Sequence, residues 1–109
     1  MNVFVDIAAA LVDLETELRR LDLWDSEMPS SAMLATTEPF GVDTMTLPQW
    51  LQFIFIPRMY ALVEARQLPP GRCEIRPIAE ESFRDSRLDV TPLLQQVSKL
   101  DALINGASV

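Results

Sequence analysis

The chain has 109 residues, 49% of them apolar, and carries a formal charge of -7 from 16 acidic and 9 basic side chains. Histidine is absent, which removes imidazole bases, Ser–His and Cys–His nucleophile pairs and His-containing zinc sites. The acidic balance also argues against direct nucleic-acid binding, which relies on basic patches to neutralise phosphates.

This length suits one domain, residues 1–109. The lone Cys73 has no internal disulfide partner and fits a reducing cytoplasm. The first residues lack a basic stretch, and Asp6 interrupts their apolar run, so no signal peptide is expected. The longest strongly apolar run, Phe53 to Ile56, is far short of the roughly 20 residues of a membrane span. A cytoplasmic protein with no membrane partner is expected. No Gly-rich phosphate loop and no CxxC pair is present, and no cofactor is expected.

In chain order, residues 2–23 predict a helix. Phe4, Ile7, Leu11, Leu14, Leu18 and Leu21 recur at steps of three and four and form one apolar seam. The other face is acidic, and Glu15 and Arg19 stand four apart in the order that favours pairing. Trp24 is expected to lie as a packing lid over the helix end. Residues 30–36 predict a short second helix that must dock on the core. The connector after it contains Pro39, Gly41 and Phe40, with Phe40 as an anchor between the two turn-formers.

The organising stretch runs from 39 to 65. Its helix is expected to start at Thr46, where Thr46-Leu47-Pro48-Gln49 has the capping-box spacing. Asp43 is expected to cap a start one turn earlier or to sit as an anion near the positive helix end. Trp50, Leu51, Phe53, Ile54, Phe55 and Ile56 make the helix apolar on nearly every side, which predicts a buried hub. Pro57 inside the run removes one backbone hydrogen bond and predicts a kink. The helix should continue to about residue 67 and stop at Leu68-Pro69-Pro70-Gly71.

Residues 72–76 read as a short extended piece, and Pro77 opens a fourth helix to about residue 84. Thr91-Pro92 starts a last helix with a seam of Leu93, Val97, Leu100 and Ile104, ended by Asn105-Gly106. No strand pattern is visible. The expected fold is all-α, a compact bundle of four to five helices around a buried, Pro-kinked central helix.

Few residues carry chemistry. Glu80 and Glu81 are adjacent and point apart on a helix, which makes them a solvated face. Arg72 and Arg76 flank Cys73 and would lower its thiol pKa, but without a nearby base the cysteine is read as structural. Arg58 follows the kinking proline. It is read either as packing its stem and pairing with an acid such as Asp43, or as forming a polar notch with the freed carbonyl near Phe53.

PFGVDTM at 39–45, WLQFIFIPRM at 50–59, LPPG at 68–71 with the following Ile75-Arg76-Pro77, and LDALI at 100–104 together resemble the YqcC-like family of small bacterial helical proteins. The resemblance runs along most of the chain. It implies an all-α bundle often encoded beside, and named after, a tRNA pseudouridine synthase. It does not imply that enzyme's activity, which needs a catalytic aspartate in a mixed sheet domain and a basic RNA-binding surface.

The expected function is thus a non-enzymatic protein-interaction module, accessory to a tRNA-modifying enzyme such as the pseudouridine synthase. Its contact patch would be the apolar region of Met33, Phe40, Met45 and Trp50. The alternatives are a small-molecule or anion-binding bundle using Asp43, Gln52 and Arg58, and a homodimer that buries the seams. An exposed apolar patch would favour a partner, and a closed pocket walled by Arg58 would favour a ligand.

Overall fold

The computed structural model describes residues 2–35, 40 and 45–107. Among the described residues six α-helices follow in order: α1 (Val3–Arg20), α2 (Ser31–Leu34), α3 (Leu47–Trp50), α4 (Ile56–Glu64), α5 (Ile75–Ser82) and α6 (Thr91–Ala107). A π-helical turn, Leu51–Phe55, joins α3 to α4, so the three form one continuous helical rod. The described residues contain no strand, and the chain is an all-α bundle. No helix among them is long and apolar enough to cross a membrane.

The centre of the bundle is the pair of long helices α1 and α6, which pack along each other. Ile7, Leu11, Leu14 and Leu18 of α1 and Leu93, Val97, Leu100 and Ile104 of α6 are fully buried. Each contributes about 1.5–3 kcal/mol by leaving water. The steps of three and four that marked both seams in the sequence are the steps that face each other here. Outside the seam, Glu15 and Arg19 pair at 3.0 Å. The Arg19 guanidinium also lies 4.5 Å from the centre of the Trp24 ring, which packs on the core just past the helix end.

Two helices end in the same way. After α1, Asp22 takes a positive φ of 60°, Leu23 N–H donates to Leu18 O at 2.8 Å, and Asp22 N–H donates to Arg19 O at 3.1 Å. After α4, Arg66 takes φ 56°, Gln67 N–H donates to Leu62 O at 2.8 Å, and Arg66 N–H donates to Val63 O at 3.0 Å. Both are Schellman closures, which satisfy the last carbonyls through a left-handed residue. Neither position holds the glycine that usually occupies it.

The rod starts as expected. Thr46 Oγ1 accepts from Gln49 N–H, and Gln49 Oε1 accepts from Thr46 N–H at 2.9 Å, which completes the capping box. The rod is buried along one face rather than all round. Leu47, Leu51, Phe55, Ile56 and Met59 face the core, while Pro57, Arg58 and Tyr60 face solvent. The irregularity expected at Pro57 takes the form of the π turn just before it, where Ile56 N–H donates to Leu51 O, five residues back. A proline ring collides with the carbonyl four residues earlier, and a widened turn relieves that collision.

α5 opens at Ile75 rather than at the expected Pro77. α6 runs through Asn105 and Gly106 to Ala107 rather than ending at them. The early start of α5 has a cause in α6, whose Asp101 accepts from the first N–H groups of α5.

Candidate functional site

An aromatic cluster grows from the π turn. In a regular α-helix, residues five apart point about 140° away from each other. The wider π turn brings Trp50 and Phe55 onto the same side, where their rings stack with centroids 5.4 Å apart. Phe40 closes on Trp50 edge-to-face at 5.1 Å, from a backbone held at φ 56°. Such aromatic pairs add about 0.5–1.5 kcal/mol beyond burial. Phe40 and Trp50 are half-buried, so part of each ring stays accessible.

Opposite the rod stands the segment between α4 and α5. Pro69 and Pro70 follow the closed end of α4, and Gly71 turns the chain at φ 76°, a conformation that L side chains rarely adopt. Cys73 is then gripped by α6. Asn105 Oδ1 accepts from Cys73 N–H at 2.7 Å, and Asn105 Nδ2 donates to Cys73 O at 2.8 Å. One turn earlier on α6, Asp101 accepts from Ile75 N–H at 3.0 Å, from Arg76 N–H at 2.9 Å and from the Cys73 thiol at 3.2 Å. Asp101 thus caps α5 from another helix, which is why α5 starts ahead of its proline.

Burial and the neighbouring Asp101 carboxylate push the Cys73 thiol pKa well above the usual cysteine range. This corrects the expectation that Arg72 and Arg76 would lower it. Desolvation and a nearby negative charge both oppose the thiolate. Cys73 is a hydrogen-bond donor to Asp101 and not a poised nucleophile.

Between the aromatic cluster and this wall lies an open cavity of about 160 Å³, lined by Phe40, Trp50, Phe55, Arg58, Arg72 and Cys73 among others. Arg72 is paired with Glu74 at 3.1 Å. Arg58 is exposed and makes no ion pair among the described residues. Among the described residues, the rim therefore carries one guanidinium without an ion pair, beside an aromatic pocket.

Three of the residues singled out in the sequence, Phe40, Trp50 and Arg58, meet at this cavity. Gln52 does not. It is buried, and its amide clamps the other loop: Oε1 accepts from Asp25 N–H at 2.8 Å and Nε2 donates to Asp25 O at 2.8 Å. Gln49 adds a bond from Nε2 to the Asp25 carboxylate at 3.1 Å. Asp43 and the Met33 side chain lie outside the described residues. Met45 is buried and adds nothing to an exposed patch, while Phe40 and Trp50 line the concave aromatic site.

Sequence reasoning gave Phe55, Arg72, Asp101 and Asn105 no place in the site. The signal was present for the last two, since Asp101 and Asn105 are four apart on one face of a strongly periodic helix.

A larger cavity of about 540 Å³ elsewhere has an acidic rim that includes Asp22, Asp25, Glu81 and Asp85. No cluster of three or more Cys, Asp or Glu among the described residues is placed to hold a metal ion.

A family model described as tRNA pseudouridine synthase C matches residues 6–103. An uncharacterized protein of Haemophilus influenzae is 35% identical over 96 residues, which cover 88% of this chain and 90% of that protein. The solution NMR structure of protein YqcC from E. coli is similar with a TM-score of 0.83 and 32% identity, over 95% of this chain and 89% of the other. A protein of Pectobacterium carotovorum named tRNA pseudouridine synthase C is 38% identical over 64 residues, which are 59% of this chain and 17% of that protein.

Proposed function

We propose that this chain, which belongs to the YqcC-like family whose model is described as tRNA pseudouridine synthase C, is a non-enzymatic interaction module accessory to a tRNA-modifying enzyme. The observation that carries the reading is the convergence of Phe40, Trp50 and Arg58 on a small open cavity. A cavity of that kind suits docking better than turnover. Burial and the Asp101 carboxylate disfavour ionisation of its thiol, and the described residues that line it set no acid–base pair for chemistry.

The class of partner is suggested by the Pectobacterium carotovorum protein. There, a segment like this chain occupies 17% of a longer polypeptide named tRNA pseudouridine synthase C. A segment similar to 59% of this chain inside a polypeptide of that name supports a partner of that class. Charge supports the same pairing: an enzyme that holds tRNA has a basic surface, and a chain of charge -7 complements it.

Size-exclusion chromatography and calorimetry of the purified chain with a tRNA pseudouridine synthase from the same cell test the reading. The expected result is a 1:1 complex whose affinity falls as salt is raised. No complex at low salt, with both proteins folded, would overturn it.

A further inference from the structure

On the reading that this chain docks a protein, we infer that the Phe40–Trp50–Phe55 cavity receives a single ring-sized apolar side chain of the partner, and that a carboxylate beside that side chain pairs with Arg58.

Volume decides the size of the occupant. The cavity measures about 160 Å³. An apolar cavity of about 150 Å³ holds one benzene ring, whereas drug-sized ligands take roughly 300–1,000 Å³. A nucleotide or cofactor is too large, and one aromatic or leucine side chain fits. Phe40 and Trp50 keep part of each ring accessible at the cavity, and a further ring packs on such a wall offset or edge-to-face.

Charge decides what flanks it. The surface as a whole is acidic, yet this rim holds Arg58 with no ion pair among the described residues, while the neighbouring Arg72 is already neutralised by Glu74. A partner acid therefore meets a guanidinium that no described acid pairs with, and a partner base meets a repelling one. Elsewhere on the chain the preference is reversed, so the cavity also sets the orientation of docking.

The wall opposite the rings is preorganised. Asn105 and Asp101 fix Cys73, Ile75 and Arg76 from α6 before any partner arrives, so binding needs little ordering of that side. Asn105 and Asp101 are positioning residues for the cavity and do not contact the occupant.

The test is an NMR titration of the isotope-labelled full chain with three capped tripeptides, Asp-Phe-Asp, Lys-Phe-Lys and Asp-Ala-Asp, and with free phenylacetate. The acidic phenylalanine peptide is expected to shift the Trp50 indole signal and to bind more tightly than the other three probes. Arg58→Ala is expected to weaken it by about two- to fivefold, the range of an exposed ion pair, without changing the melting temperature.

Equal binding of the acidic and basic peptides, shifts away from Trp50, or phenylacetate binding as well as the peptide would each overturn the assignment. The docking reading fails separately. If the acidic peptide binds but the synthase does not, the assignment stands and the accessory role falls. If the synthase binds equally well to Arg58→Glu, the accessory role stands and the assignment falls.

Discussion

Asn105 holds both main-chain groups of Cys73, donating to its carbonyl at 2.8 Å and accepting from its N–H at 2.7 Å. A carboxamide matches a peptide group donor for acceptor, so one side chain replaces a whole rung of backbone pairing. Gln52 does the same to Asp25 on the other side of the bundle. Two loops without regular structure are thereby fixed by two amides.

The first prediction concerns the Cys73 wall. Asn105→Ala removes both bonds and should cost about 1–3 kcal/mol of stability, since the Cys73 backbone groups are partly buried. Asp101→Asn should cost a similar amount, about 1.5–3 kcal/mol, because a charged acceptor of three hydrogen bonds is lost. The double variant should lose less than the two single losses together, because both residues hold one segment. Urea unfolding of the four proteins measures this; strict additivity would show that the two residues act independently.

Gln52→Leu keeps the volume but abandons Asp25. A loss of about 1–3 kcal/mol is expected, together with faster hydrogen exchange at the Asp25 amide. Binding of the acidic peptide at the aromatic cavity should be unchanged, since Gln52 does not line it. A change in peptide affinity without a change in exchange would mean that Gln52 serves the cavity after all.

Glycine should be welcome at the two left-handed positions that close α1 and α4, Asp22 and Arg66. Arg66→Gly is expected to raise stability by about 0.5–1 kcal/mol, because a side chain at positive φ costs about 1–2 kcal/mol and glycine gives part of that back in backbone entropy. Asp22→Gly should gain less, since aspartate tolerates this region better than arginine. The denaturant midpoint should rise with the slope unchanged.

Cys73 makes stability depend on pH on the alkaline side. Its folded pKa lies above the unfolded value of about 8.5. The folded protein therefore holds a proton that the unfolded chain releases. This contribution is complete below about pH 8 and is lost progressively above it, by at most about 1.4 kcal/mol per pH unit. Cys73→Ala should be less stable at neutral pH but should lack this decline between pH 8.5 and 10. Thiol-labelling of the folded wild type should be slow over the same range. An identical alkaline slope in both proteins would assign the loss to other groups.

The fold was largely legible in the sequence. The α1 seam, the Thr46–Gln49 capping box and the α6 seam lie where their spacing placed them. These are local signals: a 3.6-residue repeat shows which face is apolar, and a cap is written within four residues. The site was legible in part. Phe40, Trp50 and Arg58 meet, but Gln52 turned inward to a loop instead. Phe55 joined the cavity only because the turn before Pro57 widened.

By itself the sequence determined an all-α bundle, its helix spans to within a few residues, its two apolar seams and the absence of imidazole chemistry. Each follows from composition or short-range periodicity. The tertiary structure alone decided that α1 and α6 form the centre, that Asp101 caps α5, and that Gln52 and Asn105 hold loops. Those bonds join residues 25 to 32 apart in the chain. A polar side chain's partner at that separation leaves no periodic trace, because its position depends on how the helices pack and not on the residues beside it.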